Sequence, residues 1–307
     1  MRDAFFNRLV EKAKLDKNIV ILSADHGAFA LKEFELEYPL QYINVGIAEQ
    51  NMIGVASGLA LSGKTVFVYG ITPFVSLRVL EQITLDIAAM NLPVNIISVG
   101  AGFTYSTDGQ SHLGLQDIAA VMTIPGIAIL NTSDPTNSAD FVDLVINTQK
   151  PHYIRIEKEK FSPIERLNPN YLQDGFSILN LSDADSLIIS SGAITQTVNS
   201  VINELNIQNK LMPSHIDLHQ IKPVPKKELL RFIDKYKKII VIEENYKSGI
   251  SNLMASICID AHWDGEFRSY NVPEVSIFYG SDRDDLRRLY NLDFQSIKEV
   301  INLELKI

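Results

Sequence analysis

A single carboxylate in an otherwise uncharged stretch is the first candidate for chemistry. Glu49 follows the small residues Val45 and Gly46, and it begins a helical pattern of apolar side chains at positions 52, 53, 55, 56, 59 and 60. A buried acid at the start of a helix is unfavourable unless it is paired or protonated, and such groups often serve acid–base catalysis. An exposed Glu that complements the helix dipole would produce the same pattern. The stretch alone leaves both interpretations open.

The sequence Asp-Gly-Gln-Ser-His at 108–112 is a second candidate. It follows an apolar run that ends at position 99, and open α/β sheets place ligands at the carboxyl ends of their strands. Asp108 and His112 could therefore exchange protons with a substrate hydroxyl. A loop in which Asp108 caps a turn and His112 only packs is the alternative. His26 follows another predicted strand and could face the same site.

The composition and charge of the chain exclude several classes of protein. Its 307 residues suit two domains, and the hydrophobic fraction of 46% and charged fraction of 21% are typical of globular proteins. A net charge of −9 without a basic cluster argues against nucleic acid as a partner. The single Cys258 excludes an internal disulfide, the first residues are charged, and Asn and Pro interrupt the longest apolar stretch. We therefore expect a cytoplasmic protein without membrane segments.

Short β-branched runs alternate with segments of helical periodicity along the chain. This pattern indicates parallel sheets covered by helices on both faces, so the predicted fold class is α/β. The charged stretch 157–174 contains two prolines and no sustained period, which indicates a linker. We predict two parallel-sheet α/β domains at 1–160 and 175–307, joined by a linker at 161–174. Strands are expected at 19–22, 65–69, 94–97, 127–130, 153–156, 186–189, 214–217 and 239–242, and helices near 48–62, 75–90, 135–147, 193–205, 225–236 and 249–261.

Common nucleotide, nucleophile and metal motifs are absent from the sequence. No Gly-x-Gly-x-x-Gly follows a predicted strand, and neither a P-loop nor a Gly-x-Ser-x-Gly elbow occurs. Six His and one Cys show no spacing typical of a zinc site. No metal ligands are therefore predicted in this chain.

The order of the remaining motifs resembles a known family. The sequence Tyr-Ile-Asn-Val-Gly-Ile-Ala-Glu-Gln at 42–50 is followed by Phe74 and Arg78, by Glu-Gln-Ile at 81–83 and by the motif at 108–112. Together they resemble the C-terminal half of the transketolase and deoxyxylulose-phosphate synthase family. The resemblance covers the whole chain, and it implies a pyrimidine-binding domain followed by a transketolase C-terminal domain.

The resemblance implies a cofactor and the residues that contact it. The cofactor of this family is thiamine diphosphate. The acid matching Glu49 hydrogen-bonds the ring nitrogen of its aminopyrimidine, and an aromatic residue matching Phe74 packs on that ring. Ile71 occupies the position of a second aromatic residue of the pocket, and it is aliphatic here.

The resemblance also implies a substrate site. Asp108 and His112 match residues that touch the hydroxyls of the sugar, and His26 is expected to contribute to the same site. Arg2 and Arg155 match the positions of two arginines that hold the substrate phosphate, a role for which the fork of guanidinium donors is well suited.

Two substitutions at substrate positions distinguish this chain from transketolase. Phe29 stands where transketolase has a phosphate-binding Ser, and Gly100 stands where it has a substrate-binding His. The resemblance therefore implies a site that is roomier near Gly100 and poorer in phosphate ligands. We expect a weaker preference for small phosphorylated acceptors and tolerance of a larger or unphosphorylated sugar.

The diphosphate-binding domain of the family is missing from this sequence. Its metal motif begins Gly-Asp-Gly, and no such stretch occurs. A separate N-terminal subunit would then bind Mg²⁺ and the diphosphate, and two copies of each chain are expected to form a two-fold heterotetramer. The predicted function is that of the C-terminal subunit of a two-chain transketolase, which transfers a two-carbon ketol unit from a ketose to an aldose-type acceptor in carbohydrate metabolism. The alternatives are the β subunit of a 2-oxoacid dehydrogenase, a deoxyxylulose-phosphate synthase-like enzyme and a non-catalytic scaffold.

Overall fold

Helices and strands alternate along the first half of the chain. The structure is a computed structural model that describes residues 1–24, 29–207, 212–278 and 280–305. The elements up to residue 156 are α1 (Arg2–Leu15), β1 (Ile19–Ser23), α2 (Phe29–Glu37), β2 (Tyr42–Asn44), α3 (Glu49–Leu61), β3 (Thr65–Ile71), α4 (Leu80–Gln82), β4 (Val94–Val99), α5 (Asp117–Met122), β5 (Ala128–Asn131), α6 (Pro135–Thr148) and β6 (His152–Ile156).

The second half repeats this alternation. Its elements are α7 (Tyr171–Asp174), β7 (Ser177–Asn180), β8 (Ser186–Ser190), α8 (Ile194–Ile207), β9 (Ser214–Asp217), β10 (Gln220–Lys222), α9 (Lys226–Ile233), β11 (Lys238–Tyr246), α10 (Ile250–Asp260), β12 (Glu266–Val272), α11 (Arg283–Leu289) and α12 (Phe294–Leu305). In the part of the chain that the structure describes, no helix is both long enough and apolar enough to cross a membrane.

The strands form two sheets, and each sheet has one antiparallel edge. The first sheet has the order β10–β5–β6–β4–β3–β1–β2, and the second has the order β12–β11–β8–β9–β7. β10 pairs antiparallel with β5, and β7 pairs antiparallel with β9, while the other pairs are parallel. The predicted α/β fold class with two sheets is therefore confirmed. The sequence analysis did not predict four of the strands, β2, β7, β10 and β12. Of these, β10 links the second half of the chain to the first sheet.

Alternate residues of β1 enter different apolar clusters on the two faces of the first sheet. Ile19 and Ile21 pack in the cluster that contains Phe5 and Phe6 of α1. Val20 and Leu22 belong to the cluster that contains the apolar residues of α3. Because successive side chains of a strand point to opposite faces, a strand covered on both sides must be apolar at every position. This explains the continuous β-branched runs in the sequence.

The helix predicted at 75–90 differs from the structure. A 3₁₀ turn at Leu77–Val79 precedes the short α4, and a π-helix at Ile83–Ala88 follows it. The Thr84 hydroxyl donates to the Leu80 carbonyl at 2.7 Å, a contact that competes with the regular backbone ladder. Single-turn π segments often occur beside functional sites. The irregular segment here follows directly on Arg78.

The stretch between the two sheets is tied to the first sheet by a buried ion pair. Asp134 caps α6 through Asn137, and it accepts two hydrogen bonds from the Arg166 guanidinium at 2.7 and 3.0 Å. The Ile164 amide donates to the same carboxylate at 2.7 Å. The charged residues of this stretch therefore hold the connection in place on the first domain.

The buried His152 gives the stability of the fold a pH dependence. Its Nδ1 lies 2.9 Å from Asn95 Oδ1 and its Nε2 lies 3.1 Å from Thr148 Oγ1. Burial lowers its pKa to about 4. A His in the unfolded chain takes up a proton near its ordinary pKa of about 6.5, so the unfolded state binds more protons between these values. The stability from neutral His152 is therefore complete above about pH 6.5, and it is lost as the pH falls towards about 4.

We predict that His152→Gln reduces this loss. In urea unfolding, the free energy of unfolding of the wild type should fall between about pH 7.5 and 4.5, and the variant should lack about 2 kcal/mol of that fall. His262→Gln, at an exposed position, is the control and should follow the wild type. An unchanged pH dependence in His152→Gln would contradict the assignment.

Candidate active site

Glu49 is the first residue of α3, and it is buried. Its side chain is 3% exposed, and the preceding turn uses Gly46 with a positive φ of 73°. Oε2 accepts a hydrogen bond from Arg78 Nη1 at 2.9 Å. Oε1 is also buried, and it has no hydrogen-bond partner among the described residues. One oxygen of a buried carboxylate therefore retains its full capacity to bind a donor, which is costly unless a ligand satisfies it.

An aromatic ring and a guanidinium complete the surroundings of Glu49. The Arg78 guanidinium carbon lies 4.2 Å from the centroid of the Phe74 ring, and the His112 ring meets Phe74 edge-on at 5.1 Å. Arg78 thus stacks on Phe74 and donates to Glu49 at the same time. A flat nitrogen heterocycle would make the same two contacts. Sequence reasoning included Arg78 in a motif but gave it no role.

Ile71 ends β3 directly before this group. Its carbonyl accepts the Phe74 amide at 2.9 Å, so a tight turn places Phe74 beyond the carboxyl end of the strand. Ile71 itself is half-buried and packs against the apolar cluster of α1. The predicted pocket residues Glu49 and Phe74 therefore lie together, with Ile71 at the base of the same turn.

The residues 100–114 form a loop that we call the substrate loop. Gly102 and Gly114 close its base by two backbone hydrogen bonds of 2.9 and 3.0 Å. Asp108 ends one 3₁₀ turn and is exposed, and His112 ends the next and is half-buried. The structure brings His112 to Phe74, and it places Asp108 on the preceding turn of the same loop.

Arg155 lies inside the first domain and is occupied by an internal ion pair. Its Nε donates to Asp117 Oδ2 at 2.7 Å, and its Nη2 donates to Asp117 Oδ1 at 3.2 Å and to the Gly114 carbonyl at 2.9 Å. The Tyr153 hydroxyl donates to the same carboxylate at 2.8 Å. The side chain of Arg155 is 4% exposed. These are the contacts of a residue that supports the base of the substrate loop from within.

The backbone of Arg2 is hydrogen-bonded to the residue before Lys158, just beyond the carboxyl end of β6. The Arg2 amide donates to the Glu157 carbonyl at 3.0 Å, and the Arg2 side chain is 17% exposed. Lys158 is exposed, and its Nζ lies 5.4 Å from the centroid of the Tyr105 ring. The sequence analysis did not consider Lys158 and Tyr105 as candidate site residues. Lys158 could have been found from its position, because it is the first basic residue after the end of β6.

The space expected beside Gly100 is filled. Gly100 has φ of +96°, and a Cβ built on it would lie 2.3 Å from the Tyr105 ring. The expectation of a roomier site at this point is therefore wrong, because the Tyr105 ring occupies the place that a larger side chain would take. His26 and the side chain of Phe29 lie outside the described residues. Within the described ranges, no three His, Cys, Asp or Glu side chains are grouped to hold a metal ion.

Comparison with known proteins shows the family of the chain. Residues 1–163 match the pyrimidine binding domain of transketolase, and residues 178–299 match the transketolase C-terminal domain. The chain therefore belongs to the transketolase family, as the motifs predicted.

Individual proteins of the family are similar to this chain over most of its length. The chain is 29% identical over 302 residues to one of the subunits of apulose-4-phosphate transketolase from Phocaeicola vulgatus, and the match covers 96% of this chain and 94% of that protein. It is 29% identical over 260 residues to a 6-deoxy-6-sulfo-D-fructose transketolase subunit of a Clostridium species, over 84% and 80% of the two chains. A solved split-gene transketolase, described as an inactive β4 tetramer, has the same fold, with a TM-score of 0.82 at 23% identity over 99% and 97% of the chains.

We predict that Arg155 and Lys158 differ sharply in their importance for stability. Arg155→Met leaves the buried Asp117 carboxylate without its cation, and it should lower the free energy of unfolding by about 3–5 kcal/mol. Lys158→Met changes an exposed side chain, and it should alter that free energy by less than about 0.5 kcal/mol. Urea unfolding of both variants measures the difference. An Arg155→Met chain as stable as the wild type would show that Arg155 is free to serve a ligand.

Proposed function

We propose that this chain is the C-terminal subunit of a two-chain transketolase that transfers a two-carbon ketol unit from a ketose to an aldose-type acceptor. The observation that carries the proposal is the buried Oε1 of Glu49, which lacks a partner among the described residues while the Phe74 ring lies beside the same group. The relatives that are themselves named as transketolase subunits support it.

The residues present fit the aminopyrimidine half of thiamine diphosphate. Phe74 offers an aromatic face, Ile71 offers apolar contact, and Glu49 offers a carboxyl oxygen to a ring nitrogen. The Arg78 guanidinium, a flat nitrogen-rich group stacked on Phe74 and bonded to Glu49, supports a ligand of that shape at these two residues. When bound, thiamine diphosphate supplies a nucleophilic carbon that can carry a two-carbon unit.

The side chains of this subunit then have separate tasks. Glu49 holds a proton at its carboxyl group against the ring nitrogen, in a place from which water is excluded. Arg78, whose side chain is 44% exposed, moves outward when the ring takes its position. His112 and Asp108 face the sugar hydroxyls, and the contact of His112 with Phe74 sets its distance from the cofactor.

The second chain of the complex binds Mg²⁺ and the diphosphate. In the proposed assembly, two copies of this chain and two of an N-terminal subunit are related by a two-fold axis. The relative described as a β4 tetramer is inactive, which supports the idea that this type of chain requires a partner.

The substrate carries an anionic group that binds to Arg2 and Lys158. The Arg2 amide is bonded to the Glu157 carbonyl at the carboxyl end of β6, and the next residue, Lys158, holds its Nζ 5.4 Å from the centroid of the Tyr105 ring. Arg155, the second arginine expected at this place, is engaged with Asp117, so Lys158 takes its role. The names of the two relatives include a phosphate and a sulfonate, which supports an anionic substrate here.

We predict that Glu49→Gln abolishes most of the activity of the reconstituted complex. The amide keeps the shape of the side chain but cannot exchange the proton, so kcat for ketol transfer should fall by roughly 10²–10⁴. The assay compares the chain alone, which should be inactive, with the chain mixed with its diphosphate-binding partner.

The matched control is Glu81→Gln, which removes an exposed carboxylate from α4. It should keep the wild-type rate. Normal turnover by Glu49→Gln would show that Glu49 only complements the dipole of α3, and it would remove the main support for the proposal.

We also predict that Lys158→Met discriminates between acceptors. The loss of one charge-assisted hydrogen bond of about 1.5–3 kcal/mol should raise KM for a phosphorylated aldose by roughly ten-fold or more. KM for the unphosphorylated aldose should stay the same. Lys160→Met, two residues further along the same exposed stretch, is the control. Equal effects on both acceptors would place the anion elsewhere.

A further inference from the structure

Four charged side chains are buried at the joint between the two domains. Glu157 follows β6 in the first domain, while Glu244 of β11 and Arg283 and Arg287 of α11 belong to the second. None is more than 9% exposed. Charges in such a place must satisfy one another, because water cannot reach them.

The fork of Arg283 connects the two domains. Its Nη1 and Nη2 donate to Glu157 at 3.1 and 3.0 Å, and its Nη2 and Nε donate to Glu244 Oε1 at 2.7 and 3.0 Å. Arg287 Nε donates to the other oxygen of Glu244. Burial alone would raise the pKa of Glu244, but Arg283 and Arg287 lower it to about 2, so Glu244 is ionised throughout the physiological range.

Both carboxylates of this cluster hold the beginning of the substrate loop. Glu244 Oε1 accepts the Phe103 amide at 2.9 Å, and Glu157 Oε2 accepts the hydroxyl of Thr104. A Cβ on Gly102 would lie 2.3 Å from Glu244 Oε1, so the loop backbone passes directly against the carboxylate. The loop is therefore fixed by acceptors whose own positions are set by Arg283.

The second domain also holds the far part of the loop. Gln110 Oε1 accepts the Ile277 amide at 2.6 Å, only two residues from both Asp108 and His112. At the near end, the fully buried Phe103 ring stacks on Tyr290 with centroids 5.9 Å apart. Contacts from the second domain thus reach the loop on both sides of Asp108.

We propose that Arg283 and Glu244 are positioning residues, through which the second domain sets the substrate loop so that Asp108 and His112 meet the sugar. The role of the loop in this inference rests on the proposed function. The connection of the second domain to the loop rests only on the hydrogen bonds and ring contacts described above. A cation in a fork geometry is required because one side chain must hold two carboxylates at once. The variant Arg283→Lys keeps the positive charge but loses the planar fork of hydrogen-bond donors.

The test is amide hydrogen exchange of the full-length chain, measured by mass spectrometry on Arg283→Lys. The hydrogen bonds and ion pairs of Arg283 go to carboxylates outside 103–112, so a purely local effect would leave those amides unchanged. We expect exchange across 103–112 to accelerate roughly ten-fold or more, while the strands of both sheets remain protected. The matched control is Lys238→Met, which removes a partly buried cation shared by Glu266 and Glu304 in the same domain, and it should not affect the loop.

A second variant keeps the inference testable if Arg283→Lys does not fold. Gln110→Leu removes only the acceptor for Ile277, and it should loosen 107–112 without disturbing the buried charges. In the complex with the partner chain, both variants should raise KM for the sugar by roughly ten-fold or more, with a smaller change in kcat and no change in the concentration of thiamine diphosphate needed for half activity. Unchanged exchange at 103–112 in a folded variant would overturn the inference. Absence of ketol transfer by the wild-type complex would instead overturn the proposed function, and it would leave the exchange result valid.

Discussion

The mutual satisfaction of buried charges at the domain joint is the constraint on which the site depends. Removing one partner of such a group leaves an uncompensated charge away from water, which is far more destabilising than the loss of a surface ion pair. Glu157 comes from one domain and Arg283 from the other, so their pairing requires one relative position of the two sheets. The substrate loop begins at this joint, and the requirement that orders the domains therefore also orders the loop.

A second buried ion pair contacts the base of the loop. Arg155 donates to the Gly114 carbonyl while it pairs with Asp117, so the end of the loop at Gly114, like its beginning at Phe103, is bonded to a buried charged group. The glycines at this base allow the close approach. A Cβ on Gly114 would lie 2.5 Å from the Gly100 carbonyl, and one on Gly102 would meet Glu244. The polar side chains of the loop therefore stand on a narrow, closely packed base. Such a base is expected where the positions of functional side chains must be fixed accurately.

The sequence predicted what is encoded locally. Every strand run predicted in the first domain was found, because burial on both faces demands a continuous apolar run. The assignment of Glu49 and Phe74 to a cofactor pocket came from the resemblance and stays a prediction, although the structure places both beside Arg78. β10 could not be predicted, since its three residues become a strand only through pairing with β5. That Arg155 is occupied by Asp117 and that the side chain of Lys158 is exposed are tertiary features that the sequence pattern does not show. The filling of the space at Gly100 by Tyr105 depends on how the loop between them folds, and an irregular loop has no periodic signal in the sequence.

The pairing of Glu49 with Arg78 provides the buried carboxylate with a cation in this chain by itself, and it bears on the proposed division of a cofactor pocket between two chains. In this chain by itself, Arg78 stacks on Phe74 and donates to Glu49, so one carboxyl oxygen is already satisfied. Under the proposed function, the aminopyrimidine takes the place of Arg78 on the Phe74 ring, and the protonated carboxyl of Glu49 donates to the ring nitrogen. A protonated carboxyl that donates to the ring nitrogen is neutral, so the penalty of a buried carboxylate without its cation does not arise. The guanidinium is released to the surface, where its hydration offsets the lost ion pair. The affinity of this chain for the aminopyrimidine then depends on the difference between its contacts and those of Arg78 with Glu49 and Phe74. In the proposed complex, binding of the diphosphate by the partner chain supplies the remaining affinity for the cofactor.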